Sequence, residues 1–212
     1  WFKSRNEEQN NLEAPIIRKP FFCSGCPHNS SLKVPEGKRA LGGIGCHYMA
    51  VDSIESTEFF TQMGGEGTPW IGIAPFSHEK HVFANLGDGT YKHSGILAIR
   101  AALDASVNIT YKILYNDAVA MTGGQEIGSN WDVEGIVKQV LAEGVKKVSI
   151  LSEDPKRYHH LVNNEVKSLH RDTIITEQEQ LSEYEGVSVL IFDQTCAAEK
   201  RRKRKRGLME DP

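Results

Sequence analysis

The stretch His81-Val82-Phe83-Ala84-Asn85-Leu86-Gly87-Asp88-Gly89-Thr90 runs through apolar residues and then breaks at an aspartate held between two glycines. The first part reads as a buried strand and the break as a turn at its carboxyl end. Working outward, Ser94 to Ser106 spaces its apolar residues for one helix face. Asn108 to Tyr115, rich in β-branched and aromatic residues, then predicts a second strand, completing a βαβ unit. The alternation continues with a helix around Val133 to Glu143, a strand Lys147 to Leu151, a helix around Glu177 to Tyr184 and a strand Val187 to Asp193. Strands alternating with helices of this length predict an α/β fold in three layers, a parallel sheet with helices on both faces.

In such sheets a ligand lies outside the carboxyl ends of the strands. The turns to inspect are therefore those after Leu86, Tyr115 and Phe192. They read Gly87-Asp88-Gly89, Asn116-Asp117 and Asp193-Gln194-Thr195-Cys196. Asp88 would hold a carboxylate at a strand end where N–H groups of a tight turn and a helix N-terminus face the same crevice. A carboxylate alone repels phosphate; a magnesium ion between the two resolves this, being held by one or two carboxylates together with phosphate oxygens. Asn116, one crossover later, can converge on the same point with its amide oxygen. Gly-Asp-Gly alone is only a turn. In register with Asn116 and followed by Thr122-Gly123-Gly124-Gln125, it becomes a specific pattern.

The flanks are less regular. Residues 1–20 contain Pro15 and Pro20 and show no period, which predicts an extended entry segment; residues 21–199 form the domain, and 200–212 a basic tail or linker. From Phe21 to about Trp70 the chain is crowded with glycine, so a Gly-rich, loop-dominated region is expected. Within it, Gln62-Met63-Gly64-Gly65-Glu66-Gly67 reads either as a loop that closes on a substrate or as a tight turn with a surface glutamate. Trp70 and Trp131 read as packing or pocket walls, and Glu153-Asp154 and His159-His160 as a surface loop.

At 212 residues, with 39% hydrophobic and 25% charged residues, the chain suits one globular domain. No apolar run reaches the roughly 20 residues that a membrane-spanning helix needs. Trp1-Phe2-Lys3-Ser4-Arg5 is followed by no apolar stretch, so no secretory leader is expected, and the chain reads as part of a longer, cytoplasmic protein. Lys200 to Arg206 holds seven of the 25 Lys and Arg, leaving 18 against 28 acidic residues elsewhere. A nucleic-acid patch is one reading of that run, but it lacks interleaved aromatics and a reading helix, so no nucleic acid is expected. Cys23-x-x-Cys26, Cys46 and Cys196 offer four thiols with none to spare, consistent with one tetra-cysteine metal site.

Gly87-Asp88-Gly89 through Asn116, with Met121-Thr122-Gly123-Gly124-Gln125, resembles the diphosphate-binding domain of thiamine-dependent enzymes in the version found in 2-oxoacid:ferredoxin oxidoreductases. Cys23-Ser24-Gly25-Cys26-Pro27-His28 and Gly43-Ile44-Gly45-Cys46-His47-Tyr48-Met49 are similar to the indolepyruvate branch of that family. The resemblance implies magnesium on Asp88, Asn116 and the carbonyl of Ala118. It implies thiamine diphosphate beside Gly87, Gly89, Thr90, Thr122 and Gly123, with Gly45 and His47 approaching from the other side. It also implies a 4Fe-4S cluster on Cys23, Cys26, Cys46 and Cys196, with a structural zinc ion as the alternative. The implied partners are a 2-oxoacid, coenzyme A, ferredoxin and a pyrimidine-binding domain carrying the glutamate that activates thiamine, in a homo-oligomer. A different reading remains beside this one: a zinc-stapled interaction module whose basic tail recruits nucleic acid or acidic protein.

Overall fold

Residues 20–53, 56–116 and 132–210 are described in a computed structural model of the chain. Seven strands form one sheet among these residues: β1 Ala40–Gly42, β2 Thr57–Phe60, β3 Val82–Gly87, β4 Ile109–Tyr115, β5 Lys147–Ser152, β6 Val166–His170 and β7 Val187–Asp193. Their order is β2-β1-β3-β4-β7-β5-β6, and every pairing is parallel. The predicted three-layer α/β architecture is the one observed.

The centre of the sheet follows from its side-chain alternation. On β4, Ile109, Tyr111, Ile113 and Tyr115 pack on one face with Ile99, Ile136 and Val137, while Leu114 turns to the other with Leu190, Phe192 and Leu181. Because both faces are covered, β3, β4 and β7 read as near-continuous apolar runs. Helices α1, Thr68–Ile73, α2, ending in Ile96–Asp104, and α3, Val133–Ala142, cover the first face; α4, Ile174–Ser182, contributes Leu181 to the second. α3 starts at Asp132, whose carboxylate accepts the Gly135 N–H at 2.8 Å, an N-cap bond.

The second face also takes up a lysine. Lys112 is fully buried; its Nζ donates to the Lys33 carbonyl at 3.0 Å and lies 5.7 and 5.6 Å from the ring centres of Phe83 and Phe192. Burial drives its ammonium well below the usual lysine range.

The structure differs from the sequence reading at four places. The helix after β3 starts at Asp88 rather than Ser94: α2 passes through Asp88–Thr90, a π turn at Tyr91–Gly95, and Ile96–Asp104. The glycine-rich region supplies β1 and β2, not loops alone. The basic run is helical, since α5, Ala197–Lys205, continues across the expected boundary at residue 200. The segment around His159 and His160 is a 3-10 helix, Pro155–Leu161, with His160 3.2 Å from Glu134, and just before it Glu153 pairs with Arg171 at 2.9 Å. Among the described residues no helix is long and apolar enough to cross a membrane.

Candidate functional site

The three turns singled out from the sequence follow β3, β4 and β7, which are neighbours in the sheet, so all three lie along one stretch of its carboxyl edge. Gly87 pairs with Leu114 and Tyr115 with Asp193, which brings Asp88, Asn116 and Gln194 to one level. The Gln194 N–H donates to the Tyr115 carbonyl at 3.1 Å, extending that ladder past the last strand residue.

Asp88 occupies the first turn of α2, where the helix dipole favours a carboxylate. It is buried; Oδ1 accepts the Gly89 N–H at 2.7 Å and Oδ2 the Asn116 N–H at 2.8 Å. The side chain thus ties the end of β3 to the end of β4. A carboxylate has about four acceptor sites, so holding two amides is compatible with ligating a cation. Gly87 itself leaves room: a Cβ there would have only the His47 ring nearby, at 3.5 Å.

The loop after β1 approaches from the other side. His47 is buried, which pushes its imidazole down to about 4. Gly45 has φ +151°, and a Cβ on it would strike the His47 ring at 2.7 Å, so glycine is required where the ring folds back. Thr90 is buried, its hydroxyl 3.5 Å from the Ile44 carbonyl. The structure therefore brings Gly45, His47, Gly87, Asp88, Gly89, Thr90 and Asn116 together. Ala118, Thr122, Gly123 and Trp131 lie outside the described residues.

The four thiols gather next to this edge. Cys23 and Cys26 bracket a tight turn with Gly25 at φ +72°, closed by the Cys26 N–H on the Cys23 carbonyl at 2.9 Å. Cys196 caps α5, whose Arg201 donates to the Ser24 carbonyl at 3.3 Å. None of the four is joined in a disulfide. Burial pushes the Cys26 and Cys46 thiols up; Cys196 and Cys23 raise both further, and Cys26 also raises Cys46. Thiols so placed need a cation to stay ionised. Among the described residues no three His, Cys, Asp or Glu groups converge on a single-ion site. A tetrahedral zinc needs all four sulfurs about 2.3 Å from one point, whereas a cubane takes each sulfur on a separate iron and spreads them wider. Thiolates are the donors that both groups take, so the four cysteines suit either.

Sequence reasoning left Glu66 between two readings and missed Tyr158. Glu66 is not at the surface: it is completely buried, with Oε2 accepting the Gly64 N–H at 2.7 Å. Its only sequence signal was an isolated carboxylate among glycines. Tyr158 donates to Asp193 at the end of β7, and nothing in its 3-10 segment foretold this. Trp70, by contrast, packs as one reading had it, its indole N–H donating to the Asn108 carbonyl at 2.9 Å. It also lines a groove of about 470 Å³ with Lys80, Asn108 and Glu185. That groove opens at the amino ends of β3, β4 and β7, away from Asp88, and carries none of the chemistry.

Residues 43–152 match the family model described as thiamine pyrophosphate enzyme, C-terminal TPP binding domain; thiamine pyrophosphate and thiamine diphosphate are one compound. The chain is 27% identical to indolepyruvate oxidoreductase subunit IorA of Thermococcus kodakarensis, over 90% of this chain and 31% of that protein. It is 28% identical to the subunit of the same name from Archaeoglobus fulgidus, over 85% and 29%. It thus spans about a third of the length of these curated relatives. Among solved structures, 2-oxoglutarate:ferredoxin oxidoreductase from Magnetococcus marinus superposes with a TM-score of 0.62 at 19% identity, covering 85% of this chain and 65% of that one. Benzoylformate decarboxylase from Polynucleobacter necessarius follows with 0.55 at 14%, covering 78% and 31%. At these identities the two structures speak for the fold alone. The matched segment runs from Gly43 through β3, Asp88, β4 and Asn116 to the end of β5, the edge on which the glycine turns and the buried carboxylate meet, and the chain belongs to the thiamine pyrophosphate enzymes as their C-terminal, cofactor-binding domain.

Proposed function

We propose that this chain is the thiamine diphosphate unit of a 2-oxoacid:ferredoxin oxidoreductase acting on an aryl pyruvate such as indolepyruvate. The reaction is oxidative decarboxylation to an acyl-CoA, and the two electrons leave for ferredoxin. The observation that carries this reading is Asp88, a buried carboxylate fixed by the Gly89 and Asn116 amides at the carboxyl edge of a parallel sheet. Asp88, Asn116 and the Ala118 carbonyl hold magnesium. Gly87, Gly89, Thr90, Thr122 and Gly123 lie along the diphosphate, and Gly45 and His47 close the opposite side. Cys23, Cys26, Cys46 and Cys196 carry a 4Fe-4S cluster that accepts electrons one at a time. Thiamine supplies the carbanion chemistry of decarboxylation when bound; the protein binds, orients and shields it.

Residues 21–199 are the cofactor domain of this reading, with residues 1–20 as its entry segment. The activating glutamate comes from a pyrimidine-binding domain, so these 212 residues alone show no turnover. The assembly is a cytoplasmic homo-oligomer using coenzyme A. The test is calorimetric titration of the full-length protein with thiamine diphosphate and magnesium. Asp88→Ala and Asn116→Ala are expected to lose magnesium-dependent binding, and iron and sulfide analysis after anaerobic purification to return one cluster per chain. Wild-type binding in Asp88→Ala, or zinc without iron, overturns the corresponding part.

A further inference from the structure

Helix α5 stands on the thiol site. Cys196 is its N-cap residue, and Arg201, in its second turn, donates to the carbonyl of Ser24 inside the Cys23–Cys26 turn at 3.3 Å. The far end is closed as well: the Gly207 N–H, at φ +68°, donates to the Arg204 carbonyl and the Leu208 N–H to the Lys203 carbonyl, both at 2.9 Å, the two bonds of a Schellman cap. The basic run is therefore a folded element about 14 Å long, held at both ends.

Its charge is unevenly used. Seven consecutive cations, Lys200 to Arg206, lie on the helix and its C-cap, and Glu199 is the only acid among them. Arg202 pairs with Glu199 at 2.9 Å, and Lys200 lies 3.9 Å from Glu153, which Arg171 also holds. Arg204 donates to the Glu210 carbonyl. Lys203, Lys205 and Arg206 form no ion pair among the described residues, and Lys205 and Arg206 are exposed. A helix C-terminus offers about half a negative charge, too little to account for three unpaired cations. Leu208 and Met209 stay exposed beside them, so apolar area and charged rim lie together, the make-up of a protein interface.

Outside Lys200 to Arg206 the chain carries 18 Lys and Arg against 28 Asp and Glu. An acidic protein is repelled by that body and drawn to α5, and opposed fields of this kind orient an encounter. A nucleic acid fits less well. It presents a charge about every 1.7 Å, α5 is too short to follow it, and the acidic body repels its phosphates.

We propose that α5, with Leu208 and Met209, is the docking surface for an acidic one-electron carrier protein, whose carboxylates pair with Lys203, Lys205 and Arg206 while its redox centre comes to rest beside Cys196 and the Cys23–Cys26 turn. This rests on the function proposed above, in which electrons leave through the cluster on the four thiols. Each docking moves one electron from that cluster to the carrier's iron-sulfur centre, with no bond made or broken.

The experiment is calorimetric titration of the full-length protein, purified anaerobically, with a purified acidic bacterial ferredoxin at low and at high salt. The unaltered protein is expected to bind at low salt and to lose most of that affinity at high salt. Reversing three charges together, Lys203→Glu with Lys205→Glu and Arg206→Glu, is expected to weaken low-salt binding about tenfold or more, and the corresponding triple Gln variant to fall between. Turnover with indolepyruvate and coenzyme A is expected to show the same loss in KM for ferredoxin, while the rate with methyl viologen, a small cation that α5 does not attract, does not fall. No ferredoxin binding by the unaltered protein, or unchanged affinity in the reversed variant, overturns the proposal. So does an equal loss with methyl viologen, which assigns α5 to holding the thiol site together. A labelled DNA duplex bound by the unaltered protein and released by the reversed variant, with ferredoxin affinity unchanged, assigns α5 to nucleic acid instead. Should the reversed variant fail to fold by circular dichroism, the Gln variant takes its place. Binding and turnover keep the two levels apart: ferredoxin binding that depends on α5, without any 2-oxoacid-dependent reduction, sinks the 2-oxoacid reading alone, and turnover with unchanged binding in the variant sinks the docking surface alone.

Discussion

The hydroxyl of Tyr158 donates to Asp193 Oδ2 at 2.6 Å, and Asp193 ends β7 three positions ahead of Cys196. Ser152 Oγ reaches the same oxygen at 3.3 Å and Arg157 at 3.8 Å, so the tyrosine is the short bond of the three. Burial and the Asp193 carboxylate both raise the Tyr158 phenol, which keeps it a donor throughout the ordinary pH range. Tyr158→Phe is expected to lower stability by about 2 kcal/mol, the worth of a hydrogen bond to a charged acceptor that is then left with weaker partners. Urea unfolding of the full-length protein measures it.

At the other end of the sheet, His81 Nε2 bonds to Thr110 Oγ1 at 2.8 Å, and Thr110 Oγ1 to Ser188 Oγ at 2.8 Å, a polar row across β3, β4 and β7. Burial, and secondarily the charge of Lys38, pushes the His81 imidazole down to about 3. Between that value and 6.5 the unfolded chain binds a proton that the folded chain refuses, so stability rises with pH through this window and is lost as pH falls. The contribution lost between pH 6.5 and 5 is about 2 kcal/mol. The difference between the unaltered protein and His81→Gln, followed by denaturant unfolding across that range, isolates it from the other buried histidines. A flat difference would show that His81 is protonated in the folded state.

Lys112 gives a slope in the alkaline range. Its folded-state value lies well below 10.5 because of burial, so between the two values the unfolded chain again binds the extra proton, and stability climbs as pH rises toward 10.5. Lys112→Met is expected to cost less than about 1 kcal/mol at neutral pH, because an apolar chain suits the site and Gln178 still donates to the Lys33 carbonyl at 3.1 Å. The alkaline slope should flatten with it. A loss above about 3 kcal/mol would mean that the amine bond to Lys33 dominates the site.

The middle of the sheet was legible in the sequence because strands buried on both faces have to be apolar throughout. Val187–Asp193 carries the bounds read from the sequence; Ile109–Tyr115 differs from its expected bounds by one residue at one end and Val82–Gly87 by one at each end. β1, with only Ala40–Gly42, is too short to show a period, and β6, Val166–His170, is a half-exposed edge whose polar residues hide it. The start of α2 was hidden by Gly87, Gly89 and Gly95, which argue locally against a helix. Packing overrides them, since a Cβ on Gly95 would strike Leu86 at 2.8 Å. Asp88 and Asn116 could be paired in advance because one crossover separates them on neighbouring strands. Glu66 could not be placed, because its burial depends on meeting Gly43 and His47 from another loop, and no local pattern encodes such a meeting.

The bond from Arg201 to Ser24 joins residues 177 positions apart, and Cys196 stands between β7 and α5 close to the end of the described chain. During synthesis Cys23, Cys26 and Cys46 emerge long before the strand that delivers the fourth thiol, and parallel strands this distant in sequence pair slowly. The four thiols therefore come together only once β7 has taken its place in the sheet.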